Sequence, residues 1–421
     1  MPLSPTATAV EVSLAARKAG ARALVVKPEL AAPAAGLAAD LGRDEPLPIF
    51  VAGGEDRLSL GRLARTAPIN LTPPAPGAPA LYLTSSGSTG LPKIVPHTHA
   101  ELVADGRRTS GAWKLTGDDI VFDMLPSNFA MGLLLGATNA AEAGATTVYW
   151  NDPRPLLLSR GAVLETIAAE RVTFMGAVPA MYEQLAGVRS DYDLSAIRTA
   201  FSGGAALRRD IFDAMRVRFG ITLRQSYGST EAIFVAHNDS DDPVGDWASV
   251  GRPAGDAEAT LSFAHGGLPE GVGELLLKSS SMTRGYLNDP VADAASFENG
   301  WLLSGDLARI DANGRIFITG RSKLLIEVSG FKIDPLEVEE TLREHPAVEE
   351  AVVVGITDGS YGGQKLKAFV VPTDEVGADT LQKFLRERLS VQKVPTVFEF
   401  RADLPRSSAG KVLRGKLADG A

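Results

Sequence analysis

The run Thr84, Ser85, Ser86, Gly87, Ser88, Thr89, Gly90, Leu91, Pro92 and Lys93 has the makings of an anion cradle. Its hydroxyl and glycine residues can wrap a polyphosphate with backbone N–H and side-chain O–H donors, and Lys93 supplies a positive charge at the end of the loop. It is not the P-loop of nucleotide triphosphatases, which needs Gly before the lysine and Ser or Thr after it. Here Pro92 precedes Lys93 and Ile94 follows it. Leu81, Tyr82 and Leu83 read as a short buried strand before the loop, and Thr98, His99, Ala100 and Glu101 have the form of a capping box. The expected setting is strand, glycine-rich loop, helix. Taken alone, such a run is sooner a Ser/Gly surface turn; its company in the chain reverses that reading.

Further stretches carry chemistry. Gln225, Ser226, Tyr227, Gly228, Ser229, Thr230 and Glu231 follow a predicted strand, the usual ligand position at the end of an open α/β sheet. A hydroxyl beside a carboxylate there can bind phosphate and Mg²⁺ together, since Mg²⁺ takes one or two carboxylates plus substrate phosphates. The plainer alternative is a glycine-containing turn that caps the next helix. Ser202, Gly203, Gly204, Ala205 and Ala206 close the preceding strand with residues too small to obstruct a flat ring, or else make a helix-entry loop. In the run 301–306, Asp306 places a carboxylate after a strand, suited to a bidentate bond with ribose hydroxyls, although an Asp after Gly is commonly a turn residue. Lys411 ends the run 404–411, where a lysine is ordinarily a solvated surface group. His97 and His99 form no metal set with the other histidines and read as structural.

These groups need a scaffold. A chain of 421 residues allows about two to four domains. Hydrophobic content of 45% with 22% charged residues is that of an ordinary soluble globular protein. A net charge of −9 argues against sequence-independent nucleic-acid binding, which needs a basic face. Without cysteine there is no disulfide, thiolate metal site or cysteine nucleophile, so any thiol in the reaction comes from a partner. The beginning of the chain lacks the pattern of a secretory signal. The longest apolar tract, 130–141, is too short for a membrane span and contains Asn139. A cytoplasmic location is expected.

Helical spacing over 8–20, a strand at 23–26 and a Pro/Ala-rich connection at 71–80 open the chain. Strands at 120–124, 146–150, 172–175, 199–201 and 222–225 then alternate with helical segments such as 163–170 and 208–218, an α/β pattern with a parallel sheet. Beyond about 239, short strands at 259–262, 273–277, 301–303 and 315–318 predict an antiparallel β region. After Gly320 a compact α+β pattern begins, with helices at 336–342 and 380–389 and strands at 350–354 and 366–371. The fold class is α/β, with a large N-terminal domain over 1–321 and a small C-terminal domain over 322–421.

Taken together and in this order, the stretches closely resemble the adenylate-forming superfamily of acyl-CoA synthetases, carrier-protein adenylation domains and luciferases, along the whole chain. The resemblance implies that Thr84 to Gly90 and Lys93 hold the phosphates of ATP, with Thr230 also touching phosphate and Glu231 ligating Mg²⁺. It implies that Tyr227 stacks on adenine, that Gly203, Gly204, Ala205 and Gly228 form the rest of its slot, and that Asp306 and Arg321 hold the ribose. Lys411 would reach the substrate carboxylate and the α-phosphate, stabilising charge as pyrophosphate leaves. Thr230, Glu231 and Lys411 are thus the catalytic candidates. The implied reaction joins a carboxylate and ATP into acyl-AMP, which the thiol of coenzyme A then attacks. In that family one active site performs both steps by rotating the mobile C-terminal domain. Lys323 matches the hinge, and Gly330 lies in the loop brought toward the thiol channel.

Departures from the family pattern sharpen the expectation. Met1 to Thr6 resemble a segment that relatives carry well inside the N-terminal domain, so that domain is expected to be shortened. Glu327 stands where many relatives have lysine, reversing a charge near the thiol route. Phe129 falls where CoA ligases often have His, and Ala130 where amino-acid-activating domains carry Asp, which argues against an α-amino acid. The acyl pocket is expected to be lined by Phe129, Ala130 and Gly132, by 201–203, and by Gly228 and Ala232. With no basic residue there, a monocarboxylic acid with an aromatic or aliphatic body is expected. The readings are an acid:CoA ligase, a ligase that loads a separate carrier protein, and a shortened non-catalytic nucleotide-binding relative.

Overall fold

The computed structural model describes residues 1–3, 7, 9–41, 46–52, 72–85, 93–152, 154–189, 192–264, 268–328, 331–357, 364–389, 391–406 and 412–418. The chain opens with helix α1 (Ala9–Ala19), strand β1 (Leu24–Val26), helix α2 (Ala31–Leu41) and strand β2 (Ile49–Val51), the two strands pairing in parallel. A hairpin follows, β3 (Pro79–Ser85) against β4 (Lys93–Thr98), with Ser85 opposite Lys93. The loop joining them, 86–92, lies outside the described residues. The expected order of strand, loop and helix is therefore corrected: a second strand intervenes. Ile94 and Val95 are β-branched and buried, and Pro96 can neither donate within a helix nor leave Val95 free to be helical. Helix α3 (His99–Trp113) starts only after Thr98, which closes the predicted capping box with Glu101.

The central sheet runs β11–β10–β9–β8–β7–β5–β6. Strands β5 (Ile120–Asp123), β6 (Thr146–Tyr149), β7 (Phe174–Ala177), β8 (Thr199–Ser202) and β9 (Leu223–Ser229) are mutually parallel. Their crossovers include helices α4 (Ala130–Leu134), α5 (Leu156–Ala169), α6 (Pro179–Ala186) and α7 (Arg209–Phe219). Each of the last three turns one apolar face onto the sheet: Val163, Leu164 and Ile167, then Tyr182 and Leu185, then Ile211, Phe212 and Met215 form one core with Phe122 and Met175. The opposite face carries a second core around Trp113, Leu134, Phe174 and Phe201. The sheet is mixed rather than purely parallel, because β10 (Ile233–His237) and β11 (Arg252–Pro253) continue it antiparallel beyond β9.

A five-stranded antiparallel sheet follows as expected, from β12 (Glu258–Ser262), β13 (Gly273–Lys278), β14 (Phe297–Glu298), β15 (Trp301–Ile310) and β16 (Ile316–Arg321). Its core joins Leu275, Leu277, Leu302 and Ile316 to Val235 and Ala236 of β10. After Arg321 come the hairpin β17 (Ile326–Val328) and β18 (Phe331–Ile333), and a sheet of β19 (Val348–Thr357), β20 (Gln364–Pro372) and β21 (Val397–Phe400). Helices α8 (Pro335–Arg343), α9 (Ala378–Arg386) and α10 (Arg414–Ala418) pack on it. Apolar side chains of this last part cluster among themselves, from Ile326 to Leu417, and among the described residues none joins a cluster with residues before Arg321. A large mixed α/β unit followed by a smaller α+β unit is the architecture expected from the sequence.

Candidate active site

The hairpin is bolted to the β9–β10 turn by a short segment that the sequence did not single out. His97 is buried and its Nε2 lies 2.8 Å from the carbonyl oxygen of Thr230. Because a carbonyl can only accept, Nε2 carries the proton, and burial lowers the imidazole pKa so that the ring stays neutral. Thr283 donates through Oγ1 to the Pro96 carbonyl at 2.7 Å and through its backbone N–H to the Glu231 carbonyl at 2.9 Å. The backbone N–H of Leu287 donates to Ile94 at 2.9 Å. Between these anchors stands Tyr286, whose hydroxyl donates to Oε1 of Glu231 at 3.0 Å while Lys93 Nζ sits 4.3 Å from the ring centroid. Burial, then the Glu231 charge, raises the phenol pKa, so Tyr286 remains a donor.

The run 225–231 does not follow a strand and precede a helix. Strand β9 extends through Ser229, and the chain turns through Thr230, Glu231 and Ala232 into β10. Gly228 is required by this close pairing: a Cβ there would lie 1.9 Å from the Ile233 carbonyl oxygen. Ser229 Oγ accepts from the Ala232 N–H at 3.1 Å, closing the turn.

Asp306 likewise lies inside a strand, not after one. Gly305 adopts a φ of 73° and the β15–β16 register shifts between Leu307 and Ala308, so the strand bulges and continues rather than ending in a turn. Asp306 is buried, its Oδ2 accepts from the Tyr227 hydroxyl at 2.6 Å, and its Oδ1 lies 2.7 Å from Arg321 Nε. Tyr227, Asp306 and Arg321 thus meet, as do Lys93 and Glu231 through Tyr286.

Gly203 is buried beyond the end of β8, with Gly204 at a φ of 77° and Ala205 exposed. Toward the expected acyl side, a Cβ at Gly203 would lie 3.1 Å from Met131 Sδ and 3.2 Å from the Ser226 carbonyl. Phe129 caps α4 and is partly exposed, with Ala130 behind it. Gly132 faces its own preceding turn, where a Cβ would meet Pro126 O at 2.6 Å. Ala232 is buried in the core shared with the antiparallel sheet. Lys323 lies in the short helix Ser322–Leu324 directly after β16. Ser86, Gly87, Ser88, Thr89, Gly90, Gly330 and Lys411 lie outside the described residues, while Thr84 and Ser85 end β3.

Residues 1–287 match the AMP-binding enzyme family and residues 337–411 match the AMP-binding enzyme C-terminal domain. The chain belongs to the AMP-binding enzyme family, as its motifs implied. It is 35% identical over 355 residues to a sulfoacetate–CoA ligase of Cupriavidus necator, covering 82% of this chain and 68% of that one. It is 33% identical over 350 residues to a long-chain-fatty-acid–CoA ligase of Bacillus subtilis, covering 81% and 61%. The chain therefore spans 61% to 68% of the length of these curated relatives. Among solved structures it is similar to ATP-bound MatB from Rhodopseudomonas palustris, with a TM-score of 0.88 and 25% identity over 100% of this chain and 83% of that one. It is also similar to the O-succinylbenzoate coenzyme A synthetase of Bacillus subtilis in complex with ATP and magnesium ion, with a TM-score of 0.83 and 26% identity over 99% and 83%.

Proposed function

We propose that this chain activates a monocarboxylic acid with ATP to an acyl-adenylate and passes the acyl group to the thiol of coenzyme A, releasing pyrophosphate and AMP. A carboxylate is a poor electrophile because its negative charge repels nucleophiles, and adenylation gives it a good leaving group. The observation that carries this reading is the path from Tyr227 to Glu231. One end of that stretch is bonded to Asp306 and the other to Tyr286 beneath Lys93. The last two steps of β9, from Tyr227 to Ser229, and the turn through Thr230 separate the two groups, an arrangement suited to a nucleoside at one end and its phosphates at the other.

In this reading Asp306, held by Tyr227 and Arg321, accepts from the ribose hydroxyls. The hydroxyls and N–H groups of 84–90 with Lys93 and Thr230 grip the phosphates. Glu231 fits a magnesium ion: Tyr286 fixes one carboxylate oxygen, and no other described hydrogen bond uses the second. Among the described residues no cluster of His, Asp and Glu could hold a metal alone, which suits an ion that shares its ligands with a nucleotide. Such an ion supplies charge neutralisation on the phosphates. Lys411 then steadies the carboxylate and α-phosphate as the new bond forms. The separate apolar cores before and after Arg321 support 1–321 as the adenylation domain and 322–421 as a lid rotating about Lys323. No helix among the described residues is long and apolar enough to cross a membrane; a cytoplasmic location belongs to the same proposal.

The test is pyrophosphate exchange and AMP release over a panel of carboxylates, with and without coenzyme A. Acid-dependent exchange with CoA-dependent AMP release is expected. Exchange without CoA-dependent release would turn the reading toward a separate carrier protein, whose thiol could suit the altered charge at Glu327. A folded, ATP-binding chain without exchange would make it a non-catalytic relative.

A further inference from the structure

The segments expected to surround the acid converge on one aromatic cluster behind Gly203. Phe201, two residues before that glycine on β8, stacks on Trp113 with ring centroids 4.5 Å apart. Trp113 also touches Phe174 at 5.0 Å and meets Phe234 edge-on at 5.2 Å. All four rings are at most 7% exposed. They arrive from different elements: α3 ends with Trp113, β7 begins with Phe174, β8 carries Phe201, and β10 carries Phe234.

The cluster is fitted, not loosely filled. Gly176 is the parallel partner of Phe201, and a Cβ there would lie 2.1 Å from the Phe201 ring, so the glycine makes room for the ring to lie over the sheet. Met131 bridges the cluster and the nucleotide side. It packs against this core, and its sulfur lies within 3.1 Å of where a Cβ at Gly203 would stand. An acid lying beside Gly203 would meet Met131 Sδ and the edge of the Phe201 ring, which stand 3.1 Å and 3.7 Å from where a Cβ at Gly203 would be. A close-packed interior of this kind does not open for a long chain without displacing rings.

We infer that Trp113 and Phe201, with Met131 above them, form the floor of the acyl pocket and restrict this chain to short carboxylic acids, excluding fatty acyl chains. This rests on the acid-activating reading and adds the substrate class. Each methylene that does not fit costs about tenfold or more in kcat/KM, so a stepwise decline is the signature.

The experiment measures pyrophosphate exchange over straight-chain acids from acetate to dodecanoate. It compares the wild-type chain with Met131→Ala and Phe201→Ala, each checked by circular dichroism and thermal melting. The wild type is expected to favour the short end. Met131→Ala, which removes only a half-buried side chain, moves the optimum toward longer acids, and Phe201→Ala moves it further if it folds. Wild-type exchange with dodecanoate equal to that with butyrate would overturn the inference, as would an unchanged length profile in folded Met131→Ala. Absence of exchange with every acid would instead remove the acid-activating reading, and the substrate class with it.

Discussion

The hydroxyl of Tyr227 donates to Oδ2 of Asp306 across 2.6 Å, tying the end of β9 in the mixed sheet to the bulged middle of β15 in the antiparallel sheet. Each sheet supplies what the other lacks: β9 brings the aromatic ring, and β15 brings a buried carboxylate already held by Arg321 on its other oxygen.

Tyr227→Phe keeps the ring and deletes that bond. A buried carboxylate oxygen loses its partner, at about 1–3 kcal/mol. The expected outcome is a lower melting temperature and a several-fold higher KM for ATP, with kcat changed less. Asp306→Ala should raise KM for ATP by more than Tyr227→Phe, because it removes both the ribose acceptor and the tie between sheets. Thermal melts and ATP titrations of the exchange reaction check both, and an unchanged KM in Asp306→Ala would remove the nucleoside site from this place.

Tyr286→Phe retains the ring beneath Lys93 and loses the hydroxyl's bonds to Glu231 and Ser296. The carboxylate is then free to turn, so the Mg²⁺ concentration for half-maximal exchange should rise several-fold and kcat should fall. Tyr286→Leu also loses the cation–π contact, worth about 0.5–2 kcal/mol, and should add a higher KM for ATP. Magnesium and ATP titrations separate the two effects.

Tyr286 shows where the sequence stops being legible. Lys93, Glu231 and Asp306 stood out because hydroxyls, glycines and a charge lie next to one another in the chain. Tyr286 acts only because Thr283 and Leu287 dock its segment onto β4, nearly two hundred positions away, and onto the β9–β10 turn, about fifty positions away. Local spacing also misplaced what followed each motif. Gly228 and Asp306 each had a turn reading, yet Gly228 permits a tight strand pairing and Asp306 follows a bulge at Gly305 within a continuing strand. The alternation of β5 to β9 with helices was plain, since helical segments at 163–170 and 208–218 separate short apolar runs of strand length. The two antiparallel strands beyond β9 were hidden, because nothing in a short apolar run says which way its neighbour points.

Asp123 closes β5 with its carboxylate buried, accepting the Leu125 N–H at 3.1 Å. Burial pushes its pKa up from 3.8 to about 7. Below pH 3.8 it is protonated in both folded and unfolded chains. As pH rises toward 7 the unfolded chain gives up its proton while the fold keeps it, so stability falls across that window and levels off above it. Asp123→Asn removes this dependence and keeps an acceptor for Leu125. The melting temperature of the variant relative to wild type should therefore climb from pH 5 to pH 8. A constant difference across that range would show that the carboxyl titrates normally.

The described residues that flank Lys411 are clipped together: Arg406 and Val412 form a β-bridge, and the Leu413 N–H donates to the Pro405 carbonyl at 2.8 Å. Just beyond, Arg414 Nη2 lies 2.6 Å from Oε2 of the buried Glu339, anchoring the tail to α8. The described residues on either side of Lys411 are thus fastened to the C-terminal unit. If that unit swings between the two half-reactions, Lys411 serves only the first, where charge builds between carboxylate and α-phosphate. Lys411→Ala should therefore cost roughly 3–4 kcal/mol of transition-state stabilisation in acyl-AMP formation, several hundredfold in rate, yet largely spare thioester formation from supplied acyl-AMP. Rapid-quench assays of each half-reaction measure the split. Equal loss in both would mean that the lysine holds the lid together rather than meeting the reacting atoms.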